Sequence, residues 1–502
     1  MDSRILIFIT TTLAVIAAAI IGVAVGTGEL LVPTLAVCFI LAVLFIAKPP
    51  ITVFLTIALF ASQLNSPGLP GQFGLYEIAA MSVYGAAIIT VVFTRKIPLS
   101  FGISHLLLVL FCLLLIAIGA YRGFGLRFLG SNLWGGYAYV QILLAAGLVM
   151  VLPVVNMPAS WWRWAILAMA CLSVVPLIAD LLTLAGFRLQ EVRLFVNTTG
   201  VFSNEILEQQ EGLGIDRITS AGTTAQAMLI ALLSWAHTRK LFDPRTPWVP
   251  VTLVCLVLLS FLSGFRLMTA TIILITFLVI LLQRTLTLGR IVAGVIGCLV
   301  ALALVYQFAD SLPSNMQRAI SWLPGIHISQ TASLDASATV AWRLELWQQA
   351  MIEIRPYLWL GRGLAFSGEQ LLRTMVNPES IDWALVVGAY HNGYLSLEIL
   401  TGFPGLVIGL SMLIAVVWRH WKRNGRNWNN PYLHLAHQAF LASVMASTII
   451  FFTIYGDIST VFPGYFFYWA IMEALCKADE SERQVWHETE STSDVGDYAE
   501  LE

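Results

Sequence analysis

Repeated apolar runs of about twenty residues constrain this chain most, because each run is long enough to cross a lipid bilayer as a helix. In the first half they lie near residues 5–25, 29–47, 50–63, 76–94, 101–120, 133–153 and 163–184. In the second half they lie near 219–236, 248–264, 267–283, 290–307, 392–418, 434–453 and 458–476. With 58% hydrophobic and 11% charged residues, the composition excludes an ordinary soluble domain. The sequence predicts an all-α integral membrane protein, a polytopic bundle of about 12–14 transmembrane helices.

Basic residues in the short connections predict how the helices are oriented, since Lys and Arg of short loops stay on the cytoplasmic side. They place the N-terminus inside, so that two long segments fall on the outer side. The predicted order is an N-terminal transmembrane bundle (1–185), an outer loop (186–218), transmembrane helices (219–307), a large outer loop (308–390) and C-terminal transmembrane helices (391–476). Long loops over a membrane usually carry function.

The C-terminal segment 477–502 differs from the rest in its charge. Residues 478–502 contain nine acidic residues and one basic residue, whereas the whole chain carries a net charge of only −2. A segment this acidic and poor in apolar residues predicts a disordered cytoplasmic tail without a catalytic role.

The candidate chemistry begins at His391 and Asn392, directly before a membrane helix on the predicted outer side. A lone interfacial histidine is more often structural, but an ionisable group at membrane depth is also a functional-site hypothesis. Gly402 and Pro404 break the helical pattern a few turns later, which is unusual for a simple anchor. Glu398 would share a helical face with His391, as a carboxylate that orients the ring or pairs with an arginine.

Arginines on the predicted outer side form the second part of the candidate site. Arg266 stands between two apolar runs, where it either reaches to the interface or binds a phosphate through its planar fork of donors. Arg343 lies in an aromatic and apolar pattern of helical period, which predicts an amphipathic helix on the outer membrane face. Arg362 lies in a Gly-Arg-Gly turn, and Arg217 lies in the first outer loop. Because arginines are disfavoured outside, their presence indicates an anionic ligand.

Arginines and one histidine, without clustered acids at metal-ligand spacing, favour chemistry on a diphosphate. The arginines would stabilise the phosphate leaving group, and His391 would act as general base toward an acceptor hydroxyl. The six cysteines are scattered without a Cys-x-x-Cys pair, and we interpret them as small apolar residues. The sequence therefore predicts glycosyl transfer from a lipid diphosphate, with no metal and no cofactor.

The segment from His391 to Gly405 resembles the signature of the bacterial O-antigen ligases and the related O-antigen polymerases. That signature is His, then Asn, Ser or Gln, nine residues, and Gly-x-x-Gly, and the spacing from His391 to Gly402 and Gly405 fits it. The likeness includes Arg266, Arg343 and the turn around Arg362, and it covers roughly 215–410. Leucine and valine at 406–407 replace the later threonines of the ligase pattern, so ligase and polymerase both stay open.

The resemblance implies a GT-C-like enzyme of the inner membrane that acts on the periplasmic side without a metal. Its donor would be a glycan on undecaprenyl diphosphate, held by its diphosphate near Arg266 and Arg343, with His391 activating an acceptor hydroxyl of lipid A core or another saccharide. Transfer would invert the anomeric centre. Further substrate-binding residues would be Arg217, Arg362, Asn392 and Glu398. The partners are donor, acceptor and membrane lipids, and no nucleic acid is expected.

Two alternatives belong to other classes of protein. A transporter or flippase for lipid-linked saccharides should have broken helices in corresponding halves and a polar path, yet few ionisable residues lie within the predicted spans. A non-catalytic scaffold would not need the spacing around His391.

Outer-loop tryptophans would stack on a sugar or anchor the loop at the interface; they are Trp322, Trp342, Trp347, Trp359 and Trp383.

Overall fold

The computed structural model describes residues 48–65, 74–95, 101–185, 187, 218–374 and 380–496, without the side chains of Phe128 and of 485–496. The first two predicted spans and Arg217 lie outside the described residues. The number of spans in the whole chain therefore stays a prediction.

The described part of the chain is almost entirely helical. In the first half the α-helices are α1 (Pro50–Phe60), α2 (Leu75–Thr94), α3 (Ile103–Arg122), α4 (Gly136–Val151), α5 (Ala159–Leu172) and α6 (Val174–Leu184). Four apolar helices follow, α7 (Thr219–Trp235), α8 (Trp248–Leu262), α9 (Arg266–Leu282) and α10 (Leu288–Phe308). The remaining helices are α11 (Ser314–Ile320), α12 (Gln330–Tyr357), α13 (Gly368–Thr374), α14 (Ile381–Val387), α15 (Gly393–Asn424), α16 (Pro431–Thr453) and α17 (Ile458–Gly496).

The helices confirm the predicted fold class. Within the described residues, seven helical stretches are long and apolar enough to cross a membrane, and three shorter apolar helices accompany them. The chain is thus an all-α polytopic membrane protein. The helix predicted around Arg343 is also present, as part of α12.

Three consecutive helices, α15, α16 and α17, position the candidate site. The helix α16 packs against α7, α9, α15 and α17, and α17 packs against α4. Large side chains fill these contacts, including Phe440, Phe462, Phe466 and Trp469, all fully buried. Short connections make the three helices antiparallel neighbours. The start of α15, the end of α16 and the start of α17 consequently share one end of the bundle, called the His391 end below.

A break inside α15 joins that helix to the turn after α12. Gly402 has φ +72° and ψ 175°, a conformation that essentially only glycine adopts, and Pro404 removes the N–H that would bond to the carbonyl of Leu400. The N–H of Gly363 donates to the Leu400 carbonyl instead (3.0 Å), and the N–H of Phe403 donates to Leu358 (2.6 Å). The broken helix therefore exchanges hydrogen bonds with the turn, which leaves fewer backbone groups unpaired.

A two-stranded antiparallel sheet ties the large loop to the first half of the chain. Strand β1 (Leu133–Trp134) pairs with β2 (Phe366–Ser367). Beside it, the buried Tyr139 hydroxyl accepts a hydrogen bond from the N–H of Leu364 (3.0 Å). The loop is therefore fixed at the strands as well as at α15.

The acidic C-terminal segment differs from its prediction, because α17 continues through residue 477 to Gly496 rather than giving way to a disordered tail. Its charged side chains find partners in the loop between α15 and α16. The Asp479 carboxylate accepts hydrogen bonds from the N–H groups of Asn429 (2.9 Å) and Asn430 (3.0 Å), and Arg483 donates to the Asn427 carbonyl (2.7 Å). A count of charges misses these contacts because the partners lie about fifty residues away.

Candidate functional site

His391 lies just before α15 rather than on it. Asn392 is the N-cap of that helix, and its side-chain oxygen accepts hydrogen bonds from the N–H groups of Tyr394 (3.0 Å) and Leu395 (3.2 Å). His391 itself has φ +51°, a left-handed conformation that is uncommon for residues other than glycine. Such strain persists only where the surroundings hold it, which is often the case at functional sites.

Close backbone packing brings the start of α15 against the short connection between α16 and α17. A Cβ atom on Gly456 would lie only 2.5 Å from the Cα of Gly393, and one on Gly393 only 2.3 Å from the Phe451 carbonyl oxygen. The N–H of Ile458 also donates to the Ser396 hydroxyl (3.1 Å). Only residues without side chains allow this approach, and it places Asp457 beside His391.

Asp457 holds His391 at two points. The N–H of His391 donates a hydrogen bond to Asp457 Oδ1 (2.9 Å). His391 Nδ1 lies 3.2 Å from Asp457 Oδ2, an ion-pair distance that lacks the angles of a hydrogen bond. The carboxylate is only 3% exposed, whereas the imidazole is 23% exposed and remains accessible. A proton on Nδ1 facing the carboxylate leaves the lone pair of Nε2 available to take a proton from a substrate.

This geometry corrects the interpretation of Glu398 as the carboxylate beneath the imidazole. Because His391 precedes the helix, the helical periodicity that would align it with Glu398 does not apply. Glu398 is half-buried, and within the described part of the chain it forms neither a hydrogen bond nor an ion pair. Its role in substrate binding stays a prediction.

Two aromatic residues flank the imidazole. The ring centroid of His391 lies 4.8 Å from that of Tyr455 and 5.5 Å from that of Trp342. Burial raises the pKa of the Tyr455 hydroxyl, and the charge of Asp457 raises it further. Tyr455 therefore stays protonated beside the Asp457 carboxylate.

Arg343 follows Trp342 on α12 and lies at the same site. Its Nε is buried and has no hydrogen-bond partner among the described residues. Burial lowers the pKa of its guanidinium, and the charge of Arg318 adds to this, while Tyr455 and Asp457 act in the opposite direction. A partly desolvated cation with an unsatisfied donor is suited to an anionic ligand.

Arg266 and Arg318 extend this positive surface. Arg318 is buried and held by Asp335, by the Gly264 carbonyl (2.7 Å) and by the Thr339 hydroxyl (3.1 Å). Arg266 Nε donates to the Arg318 carbonyl (3.4 Å), which leaves its two terminal amino groups for other contacts. Arg266, Arg318 and Arg343 are close enough for their charges to repel one another. A bound anion would relieve that repulsion.

Arg362 has a different environment from Arg266 and Arg343. Its guanidinium donates to the carbonyls of Leu385 (2.6 Å) and Val386 (3.2 Å), at the end of α14. It also lies over the Tyr390 ring, at 5.9 Å from the centroid. Tyr390 directly precedes His391, and Trp347 donates to its carbonyl (2.9 Å). Arg362 thus holds the segment that leads to His391.

The structure brings the predicted residues His391, Arg343 and Arg266 near one another, and three further residues that the sequence analysis did not single out lie beside them. Arg318 and Tyr455 are inconspicuous in the sequence, since neither belongs to a motif. Asp457 could have been identified from the sequence as a candidate site residue, because it is the only acid in the short connection 454–457 on the predicted outer side. Asn392, predicted to bind substrate, is the N-cap of α15. Arg217, also predicted to bind substrate, lies outside the described residues.

One comparison with known proteins gives a match. Residues 251–410 match the family model described as O-antigen ligase. The matched segment runs from α8 into α15. It includes Arg266, Arg318, Arg343 and His391, and it ends before Asp457. No curated protein is similar enough to the chain to count as a relative.

Proposed function

We propose, from the premise that residues 251–410 belong to the O-antigen ligase family, that this chain is an inner-membrane glycosyltransferase. Its general function is of the O-antigen ligase or polymerase type. In the proposal the donor is a glycan on undecaprenyl diphosphate, the acceptor is a hydroxyl of lipid A core or another saccharide, and the site faces the periplasm. The pairing of His391 with the buried Asp457 is the observation that carries the proposal.

His391 is the proposed general base. Asp457 fixes the ring and favours the proton on Nδ1, so that Nε2 accepts the proton of the acceptor hydroxyl as that oxygen attacks the anomeric carbon. The bond between that carbon and the phosphate oxygen breaks in the same displacement, which inverts the anomeric centre. The electron pair of the broken bond leaves with undecaprenyl diphosphate.

Arg343 and Arg266 are the proposed partners of the diphosphate. The buried, unsatisfied Nε of Arg343 and the terminal amino groups of Arg266 are donors for its oxygens. Positive groups placed in advance stabilise the charge that develops on a leaving group, and they do so most strongly where water is excluded. Trp342, beside His391, supplies an aromatic face for a sugar ring of donor or acceptor.

The nature of the acceptor separates two versions of this function. A ligase hands a finished glycan to lipid A core or another saccharide, whereas an O-antigen or exopolysaccharide polymerase joins lipid-linked repeat units. A flippase is a further alternative, but it has no need of a strained histidine paired with a carboxylate.

The test is complementation of a deletion strain with wild type and with His391→Ala, scoring surface glycan and carrier-linked intermediates on gels. We expect His391→Ala to abolish transfer while expression and membrane insertion stay normal. Long chains accumulating on the carrier would identify a ligase, and single repeats a polymerase. Normal surface glycan with His391→Ala would refute the catalytic proposal and favour the flippase.

A further inference from the structure

A second cluster of ionisable side chains lies at the end of the bundle opposite His391. His420 is near the end of α15, His437 near the start of α16, and Cys476 in α17. About 27 residues of α15 separate His420 from its first residue, which corresponds to roughly 40 Å of helix. The side chains of all three are buried. The proposed glycan transfer uses none of them.

The three side chains present metal-binding atoms to one another. One ring nitrogen from each histidine and the Cys476 sulfur all lie within 4.8 Å of each other. His420 Nδ1 and His437 Nε2 are 3.1 Å apart. Two nitrogens that share one tetrahedral zinc ion at about 2.0–2.1 Å are roughly 3.3 Å apart, so this pair is already near that spacing.

Glu473 lies beside one of the histidines, in the position of the carboxylate that commonly supports a metal-binding histidine. Its Oε1 lies 3.3 Å from His420 Nε2, on the opposite side of the ring from His437. A metal-binding histidine usually directs its second ring nitrogen at a carboxylate or carbonyl, which fixes the tautomer and leaves the other nitrogen free to bind. With the proton on Nε2, the lone pair of His420 Nδ1 faces His437 and is available to a metal ion.

The surrounding charges restrict which ion fits. Arg419 (2.8 Å) and Arg423 both contact the Glu473 carboxylate, so their positive charge already exceeds its negative charge, and His105 Nε2 lies 3.6 Å away. Uncompensated charge is costly in a buried site. Two neutral imidazoles and one soft thiolate suit Zn²⁺ or Cu⁺, and Cu⁺ with a single thiolate adds no net charge to the site.

We propose that His420, His437 and Cys476 bind one thiophilic metal ion, Zn²⁺ or Cu⁺, with Glu473 as the positioning carboxylate of His420. Binding deprotonates the thiol and releases that proton to solvent, with no change in oxidation state. The ion fastens α15, α16 and α17 together at one end, while their other ends carry His391 and Asp457. The site is independent of the proposed transfer reaction.

The experiment uses the full chain purified in detergent and stripped with a chelator. It is incubated with Zn²⁺ or with Cu⁺ under reducing conditions, desalted, and analysed for bound metal by mass spectrometry. We expect about one ion per chain for at least one of the two metals. At equal free metal, Cys476→Ser and His437→Gln should lose most of that occupancy, and Glu473→Gln should weaken binding about 10- to 100-fold.

Matched controls are Cys112→Ser, a partly buried cysteine outside the cluster, and His327→Gln, an exposed histidine. Both should bind as wild type does, and metal should raise their melting temperature. If the cluster variants fail to fold, Co²⁺ added to wild type should give a thiolate-to-cobalt absorption band. Wild type that takes up neither metal and shows no such band, or undiminished binding in folded Cys476→Ser, overturns the site. Glycan transfer is scored separately, so either proposal can fail alone.

Discussion

At the scale of single residues, the main finding is that the partner of His391 is Asp457, 66 positions along the chain. Helical spacing favoured Glu398, because that argument assumed that His391 belongs to the helix. Asn392 is the N-cap, so His391 lies outside the helix, and its positive φ turns the imidazole away from the helical face that carries Glu398. A sequence pattern identifies a residue near a helix end, but it does not fix which way the residue faces.

Asp457→Asn should separate the orienting role of Asp457 from a simple packing role. The amide is the same size, but it offers the ring a weaker acceptor and allows the wrong tautomer, so we expect transfer to fall about 100-fold or more. The measurement is the initial rate with a lipid-linked donor in detergent. Asp382→Asn, an exposed acid at the start of α14, is the control and should be fully active. Asp457→Asn at the control's rate would mean that His391 needs no carboxylate.

Arg266→Lys should be as inactive as Arg266→Ala, because an ammonium cannot reproduce two parallel donors to a phosphate. We expect a loss of about 100- to 1,000-fold for either change, in the range for removal of one donor to a developing charge. Arg355→Lys, at an exposed position of α12, is the matched control. Should the lysine variant keep full activity, Arg266 would supply only general positive charge.

At the scale of elements, sequence periodicity predicted the helices well because each apolar run has a single way to satisfy its backbone in lipid. It did not predict the exchange of hydrogen bonds around Gly402, since the partners at Leu358 and Gly363 lie some forty residues upstream. The Gly-x-x-Gly spacing near His391 thus marks a break in α15 that anchors the turn after α12.

Gly402→Ala tests this break. The alanine would have to adopt a conformation essentially restricted to glycine, and its Cβ would lie 2.8 Å from the Trp359 carbonyl oxygen. We expect a loss of about 1–3 kcal/mol in stability, seen as a lower melting temperature in detergent, together with reduced transfer. Gly297→Ala, where nothing lies within 4 Å of the added atom, should be neutral or slightly stabilising. Equal melting temperatures for both variants would contradict this account of the kink.

At the scale of the whole molecule, the fold class followed from hydropathy alone, whereas the grouping of distant residues did not. The metal candidates show why, since they come from three helices and have no local spacing to recognise. Which end of the bundle faces the cytoplasm was inferred from the basic residues in the short loops, and it stays a separate prediction.

Two single-cysteine additions test that sidedness. Ser337→Cys is exposed on α12, near the His391 end, and Arg426→Cys is exposed in the connection between α15 and α16. With the outer membrane permeabilised and the inner membrane intact, a membrane-impermeant maleimide should label Ser337→Cys above the wild-type background. Arg426→Cys should react only after the inner membrane is opened. The reverse pattern would place His391 in the cytoplasm and exclude a periplasmic reaction.

The position of Asp457 also bears on the synthesis of the chain. The arginines, the tryptophan and His391 all leave the ribosome before residue 400, whereas Asp457 follows α16 and precedes α17. A nascent chain that has inserted everything up to α15 would hold the cations proposed to bind the diphosphate but lack the carboxylate proposed to orient the base. Catalytic competence would then arrive only with insertion of the last helical hairpin, so prematurely terminated chains would occupy the membrane without consuming carrier lipid.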